Sequence, residues 1–264
     1  MPKTIVITGT SSGVGLALGN EFHQKDYLVF GLSRSVPQNA QFKTIPTDIT
    51  QKQEVKNAFA QILKETERID LLINNAGRGM VGAIEDASQE EILELFNINL
   101  AAAVSVISET LPVMRKRNKG KIINISSMGS IMGLPFRGFY SASKSALDKV
   151  TEALRHELKG TNIEACTVNL GDVQTNIAEN RIKSKISPPY AEIFEKVYGE
   201  MNSDVDKGFD PIELAPFLEK LFLQQAKWKP HYYFGASTQK LSLLAKALLP
   251  QKWFEKIIEK YSGI

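Results

Sequence analysis

Short β-branched runs alternate with amphipathic stretches along the whole chain, and this alternation restricts the fold more than any other feature. The pattern predicts strands over residues 4–8, 27–32, 43–46, 71–74, 121–126, 162–168 and 232–234. It predicts helices over 14–24, 51–67, 89–117, 140–159 and 211–225, and from 241 onward. Strands separated by helices pair in parallel, which implies a doubly wound α/β fold with helices on both faces of the sheet. Ligands of such a fold sit beyond the carboxyl ends of the strands, near the switch in strand order. The 264 residues suit one domain, 1–264. Within it, residues 176–208 carry Pro188-Pro189 and many charges, and read as an irregular substrate-loop insertion or lid.

After the first strand comes Thr8-Gly9-Thr10-Ser11-Ser12-Gly13-Val14-Gly15, leading into a helix. Gly9 permits a sharp turn, Gly13 lets backbone approach a pyrophosphate, and Gly15 allows close helix–strand packing. The free N–H groups and partial positive charge of the helix start favour the anion. Gly9-x-Ser11-x-Gly13 also fits a hydrolase nucleophile elbow. Only eight residues precede it, and of His23, His156 and His231 only the last falls late enough for a Ser…Asp…His order, so the nucleotide reading is preferred.

The second strand ends Gly31-Leu32-Ser33-Arg34-Ser35, with no acid to bind the ribose hydroxyls of NAD. Arg34 can grip a 2′-phosphate through its planar fork, with Ser33 as a second donor, so NADP(H) is expected over NAD(H). A solvated loop arginine is the alternative.

Tyr140 and Lys144 lie four residues apart at a predicted helix start and share a face. At an effective dielectric of about 20, a charge roughly 4 Å from a phenol is worth about 4 kcal/mol, enough to bring its titration near neutral pH. Taken alone, the pair also fits two solvated side chains.

Together, the glycine turn, Asn74-Asn75-Ala76-Gly77, Asn99, Ser127, Tyr140 and Lys144 resemble the short-chain dehydrogenase/reductase family over residues 3–175. The resemblance implies a Rossmann-like domain with a seven-stranded parallel sheet. It implies Tyr140 as acid in reduction and base in oxidation, and Lys144 as the group that lowers its pKa and holds the nicotinamide ribose. Ser127 would bond the substrate carbonyl oxygen, and Asn99 would hold a water behind the lysine. Ser126 and Asn97 compete for the last two roles, but the thirteen- and twenty-eight-residue spacings favour Ser127 and Asn99. Cofactor contacts are implied at Gly9, Ser11, Ser12, Gly13, Val14, Gly15, Ser33, Arg34, Asp48, Ile49, Asn75, Ala76, Gly77, Val173 and Thr175, besides Tyr140 and Lys144. Asp48 could equally cap the following helix. Leu170-Gly171 stands where the family usually has Pro-Gly, which leaves the path of the next loop open.

The expected activity is interconversion of a carbonyl and an alcohol on an apolar or amphipathic molecule, with a 3-oxoacyl thioester as rival substrate. A non-catalytic NADP(H)-binding sensor or scaffold is the competing class. The segment 127–139 offers Met128, Ile131, Met132, Leu134, Pro135 and Phe136 to a pocket, with Arg137 its one charge. A net charge of +3 without a basic block gives no case for nucleic acid. No metal is expected. The lone Cys166 reads as a buried thiol, and no window of eighteen apolar residues suggests a membrane span. A cytoplasmic protein is expected. It would form a homodimer or homotetramer through helices 89–117 and 140–159. The amphipathic tail 240–264 would cover the cleft or a neighbouring subunit, or touch a membrane surface.

Overall fold

The computed structural model describes residues 2–175 and 179–264. The strands are β1 (Thr4–Thr8), β2 (Leu28–Ser33), β3 (Lys43–Pro46), β4 (Leu71–Asn74), β5 (Met80–Val81), β6 (Gly120–Ser127), β7 (Ile163–Leu170), β8 (Ile182–Lys183) and β9 (His231–Phe234). Seven form a parallel sheet in the order β3-β2-β1-β4-β6-β7-β9. The order reverses between β1 and β4, so the crevice outside their carboxyl ends is where a ligand is expected.

The helices are α1 (Gly13–Gln24), α2 (Lys52–Glu65), α3 (Gln89–Phe96), α4 (Ala102–Lys116), α5 (Gly138–Glu157), α6 (Ala191–Asp206), α7 (Leu214–Leu223), α8 (Ser237–Leu248) and α9 (Gln251–Tyr261). Alternation along the strands sorts their side chains. Val6, Phe30 and Leu72 face one core with Val55 and Ile62 of α2 and Val106 of α4. Ile5, Ile7 and Ile73 face the other with Leu18 and Phe22 of α1 and Leu218 of α7. Both faces are thus covered, as parallel strands require. Cys166 lies in the second core, where burial pushes its thiol pKa up and leaves it inert.

Three features differ from the sequence expectation. Residues 176–208 are largely ordered: β8 pairs with β5 in a small second sheet, and α6 follows. The first three residues of that segment lie outside the described ones. Phe194, Val197, Met201 and Val205 of α6 are buried at helical spacing, which the charges around them disguised. Secondly, the helix of 89–117 contains a π-helical segment, Asn97–Ala101, between α3 and α4. Pro112 lies inside α4, which continues to Lys116. Thirdly, this stretch, Gln89–Lys116, is long and apolar enough to cross a membrane by length and composition alone. Ala102, Ala103, Val106, Ile107, Val113 and Met114 nevertheless bury one side of it against the sheet, as in a core helix.

Candidate active site

The turn after β1 builds a cradle. Gly9 has φ +72°, and a Cβ there would come within 2.7 Å of the Cα of Ala76. A Cβ on Gly15 would overlap the Gly9 carbonyl oxygen, so helix α1 can sit this close to β1 only with glycine present. Asn75 fastens the turn to β4: its Nδ2 donates to the Thr8 and Gly9 carbonyls at 3.0 and 3.2 Å. The backbone N–H groups of Asn75 and Ala76 both donate to Thr8 Oγ1 at 3.1 Å. Ser12 caps α1 without spending its hydroxyl on the helix.

A cleft of about 540 Å³ opens over this cradle. Its walls include Gly9, Ser11, Ser12, Gly13, Val14, Ser33, Arg34, Asp48, Ile49, Asn75, Ala76, Gly77 and Thr175, so the structure gathers most of the expected cofactor residues in one place. Gly15 lies behind the wall, and Val173 belongs to the adjoining cavity. Asn97 also faces this cleft. No histidine lines it, which removes the partner a serine hydrolase would need at Ser11. The side chain of Arg34 is exposed and makes no hydrogen bond or ion pair with the described residues. The Ser33 hydroxyl is spent: it accepts from Thr10 at 3.2 Å and donates to the Ser35 carbonyl at 2.8 Å. Ser33 therefore shapes the loop, and Arg34 is the open donor. Asp48 accepts from the N–H and hydroxyl of Thr50 at 3.0 and 2.7 Å, and so holds the approach to α2 without capping the helix itself.

A smaller cavity of about 170 Å³ joins the cleft at Gly77 and Thr175, and Ser127, Tyr140 and Lys144 meet there. Ser127 ends β6. Its Oγ accepts from the Gly129 N–H at 3.1 Å, which leaves its O–H to donate, and it bonds the Tyr140 phenol. Behind it, Asn169 Nδ2 donates to the Ser127 carbonyl at 3.2 Å and to Asp148 Oδ2 at 2.9 Å. Ser130 also donates to Asp148, at 2.6 Å. Ser126, by contrast, is buried, and among the described residues its hydroxyl makes only a long hydrogen bond, 3.5 Å to the Lys144 carbonyl.

Tyr140 and Lys144 lie on one face of α5, as their spacing demands. Their electrostatics correct the sequence expectation. Burial raises the Tyr140 pKa above its ordinary value of 10.0, opposed by the Ser127 hydrogen bond and by the charges of Arg137 and Arg181. Lys144 is itself desolvated, which lowers its pKa to about 8 against the pull of Asp148, and its ammonium donates to the Ile125 carbonyl at 3.0 Å. Spacing alone shows the Coulomb attraction but not this cost of burying charge. The phenol is therefore held protonated at neutral pH.

Asn99 also differs from expectation. Its Nδ2 donates to the Arg78 carbonyl and to Ser143 Oγ at 2.9 and 3.0 Å, and its Oδ1 accepts from the Arg78 N–H at 2.8 Å. Both amide hydrogens are thus taken by protein groups. Asn99 pins the Gly77–Arg78 turn beside Lys144, where a Cβ on Gly77 would come within 3.1 Å of the ammonium.

Of the apolar segment 127–139, only Ser127 and Arg137 line the cavity. Phe136 turns away into an aromatic cluster with Tyr190 and Phe194. Met80, Val81, Leu170, Met201 and Val205 supply the apolar wall instead, joined by the charged Arg137, Asp172 and Arg181. Sequence reasoning missed Asp148, though its place four residues after Lys144 continues the Tyr140–Lys144 face. It also missed Asn169, Asp172 and Arg181, which carry no spacing signal. A Val173–Phe209 bridge holds the start of the loop after β7. In the tail, Phe254 and Ile258 turn inward, whereas Leu241, Leu244, Leu248 and Trp253 stay exposed.

A dinucleotide cradle that opens onto a Tyr–Ser–Lys cavity at the switch point defines an oxidoreductase working between carbonyl and alcohol. Its cofactor class is a nicotinamide dinucleotide, which the glycine turn and the cleft fit. Comparison with known proteins agrees. The family model described as short chain dehydrogenase matches residues 3–185. The 3-ketodihydrosphingosine reductase of Bacteroides thetaiotaomicron is 35% identical over 269 aligned residues, covering 100% of this chain and 99% of the relative. The NADPH-dependent 3-dehydrocapnine reductase of Ornithobacterium rhinotracheale is 30% identical, covering 97% and 95%. A short-chain dehydrogenase from Streptomyces avermitilis has a crystal structure similar to this fold at a TM-score of 0.81, with 26% identity and 97% of each chain covered. The chain belongs to the short-chain dehydrogenase family.

Proposed function

We propose that the protein is an NADP(H)-dependent ketone reductase acting on an apolar or amphipathic substrate, with Tyr140 as the proton donor. The observation that carries this reading is the meeting of Tyr140, Ser127 and Lys144 in one cavity that opens on the glycine cradle. When bound, the cofactor supplies the hydride. The Ser127 O–H, turned from the phenol to the substrate, holds the substrate oxygen beside Tyr140, and the Tyr140 phenol gives that oxygen its proton as negative charge develops there. Because burial holds the phenol protonated, it is in the form that acts as the acid in the reductive direction. The phenolate it leaves is stabilised by the Ser127 hydroxyl and the nearby Arg137 and Arg181 charges. Lys144 is placed to hold the ribose hydroxyls.

Arg34 and the lack of an acid at the end of β2 support NADP(H), as does the cofactor named for the Ornithobacterium relative. The names of both relatives describe keto or dehydro substrates, which supports a ketone. Exposed Leu93 and Val104 on α3 and α4 and Val150 on α5 support a homodimer or homotetramer built through these helices.

The test is consumption of NADPH against a panel of medium- and long-chain ketones and 3-oxoacyl thioesters. The reading expects turnover of ketones, faster with NADPH than with NADH. Cofactor binding without turnover of any carbonyl would favour the sensor reading instead, and thioesters used far better than ketones would favour the acyl substrate.

A further inference from the structure

Two arginines enter the reaction cavity from different elements. Arg137 immediately precedes α5, three residues before Tyr140, and Arg181 precedes β8. Both line the cavity with Tyr140, and both are close enough for their charge to act on its phenol. They also repel one another, and that repulsion adds to the desolvation of Arg181.

Their surroundings offer little to balance this charge. The Arg137 Nε is buried and has no hydrogen-bond partner, and its guanidinium forms no ion pair among the described residues. Arg181 lies across Gly79, donates to Asn202 Oδ1 at 2.6 Å and bonds the Tyr198 hydroxyl, with its guanidinium 5.9 Å from the Tyr198 ring centre, which leaves other donors of its fork for a ligand. Among the described residues the one carboxylate lining the cavity, Asp172, accepts from Gln239 of α8; its charge reaches both arginines, but it forms no ion pair with either. Asp204 of α6 lies farther out and accepts from Tyr261 at 2.8 Å. A guanidinium keeps its proton at any accessible pH, so the buried donor of Arg137 cannot be relieved by titration. The backbone is bent to put it there: Phe136 adopts φ +55°, a costly conformation for a bulky residue, which sends its own ring into the aromatic cluster and leaves Arg137 at the cavity. Such outliers persist where the surrounding structure forces them, and they gather at ligand-binding sites.

We infer that the substrate is an amphipathic ketone carrying an anionic group near its carbonyl, gripped by Arg137 and Arg181 while its apolar chain lies along Met80, Val81, Met201 and Val205. The planar fork of an arginine matches a carboxylate, sulfonate or phosphate, and an anion here would fill the donors the fold leaves open. The inference rests on the proposed reduction at Tyr140 and narrows its substrate.

The test compares 3-oxodecanoate with methyl 3-oxodecanoate, which share a chain and a ketone and differ in charge. The wild-type enzyme should reduce the anion with a kcat/KM about tenfold or more above the ester. Arg137→Gln should lower kcat/KM for the anion by about ten- to a hundredfold, mainly through KM, and lower that for the ester far less and through kcat, because both substrates lose the charge beside the Tyr140 phenol. Arg137→Lys should recover part of the loss, and Arg181→Gln should show the same selective pattern. Inhibition by 3-hydroxydecanoate should weaken in parallel. Equal use of anion and ester by the wild type would overturn the inference, as would equal losses on both substrates in Arg137→Gln. If neither ketone is reduced, the reductase reading fails separately. Calorimetric binding of 3-hydroxydecanoate to the NADPH-saturated protein then still decides the arginine grip: loss on Arg137→Gln supports it, and no binding to the wild type overturns it.

Discussion

Replacing Arg34 by alanine isolates the basis of cofactor choice. Arg34 is exposed at the end of β2 and is bonded to no described residue, so its removal breaks no interaction of the folded protein. A charge-assisted hydrogen bond contributes roughly 1.5–3 kcal/mol. Exposure places Arg34 toward the lower part of that range, since solvent and salt screen the pair. At about 1.4 kcal/mol per factor of ten, the expected rise in the Kd for NADPH is about ten- to thirtyfold. NADH, which lacks the 2′-phosphate, should lose less than about twofold. Protein-fluorescence titration with each cofactor measures both constants without turnover, and repeating it at higher salt should shrink the NADPH difference alone. Equal weakening of NADPH and NADH, or an unchanged NADPH constant, would refute the assignment of the phosphate to this arginine.

Three further outcomes follow from the buried polar groups. Burial lowers the Lys144 pKa to about 8, so its ammonium is intact below that pH and is lost above it. The rate of ketone reduction with saturating NADPH should therefore be flat near neutrality and fall about tenfold per pH unit well above 8; a flat profile to pH 9.5 would exclude this role. The folded pKa lies below the ordinary 10.5, so the unfolded chain binds more protons between about 8 and 10.5, and the Lys144 contribution to stability rises with pH across that window. That rise should vanish from the denaturation profile of Lys144→Met. Asn99→Ala strands the Arg78 N–H and carbonyl and the Ser143 hydroxyl. A cost of about 2–4 kcal/mol and a Tm lower by roughly 5–15 °C are expected. An unchanged Tm by calorimetry would contradict the positioning role.

The frame of the fold was legible because its signals are local. Residues 4–8, 43–46 and 71–74 are strands with the limits their β-branched composition suggests. The glycine turn needs only short-range sterics, and the Tyr140–Lys144 face needs only helical periodicity. What escaped depends on contacts between distant segments. The β5–β8 pairing joins residues 80–81 to 182–183 through strands of two residues each, too short to leave a pattern. Asp172 reaches the cavity from just after β7 and Arg181 from just before β8, both more than thirty residues beyond Tyr140 in the chain. Asn99 was placed correctly near the lysine, but its partners are backbone groups of Arg78, which no side-chain motif records. The Tyr140 pKa went astray for a related reason: spacing shows which charge is near a phenol but not how much water the fold removes.

The central proposition is that the Tyr140 phenol donates the proton that completes carbonyl reduction. Single-turnover reduction of a ketone by the NADPH-loaded Tyr140→Phe protein tests it most directly, with the NADPH Kd measured on the same sample. The predicted result is a hydride-transfer rate lower by at least about a hundredfold with NADPH still bound within a few-fold of wild type. Reduction at the wild-type rate by a protein without this hydroxyl would contradict the account.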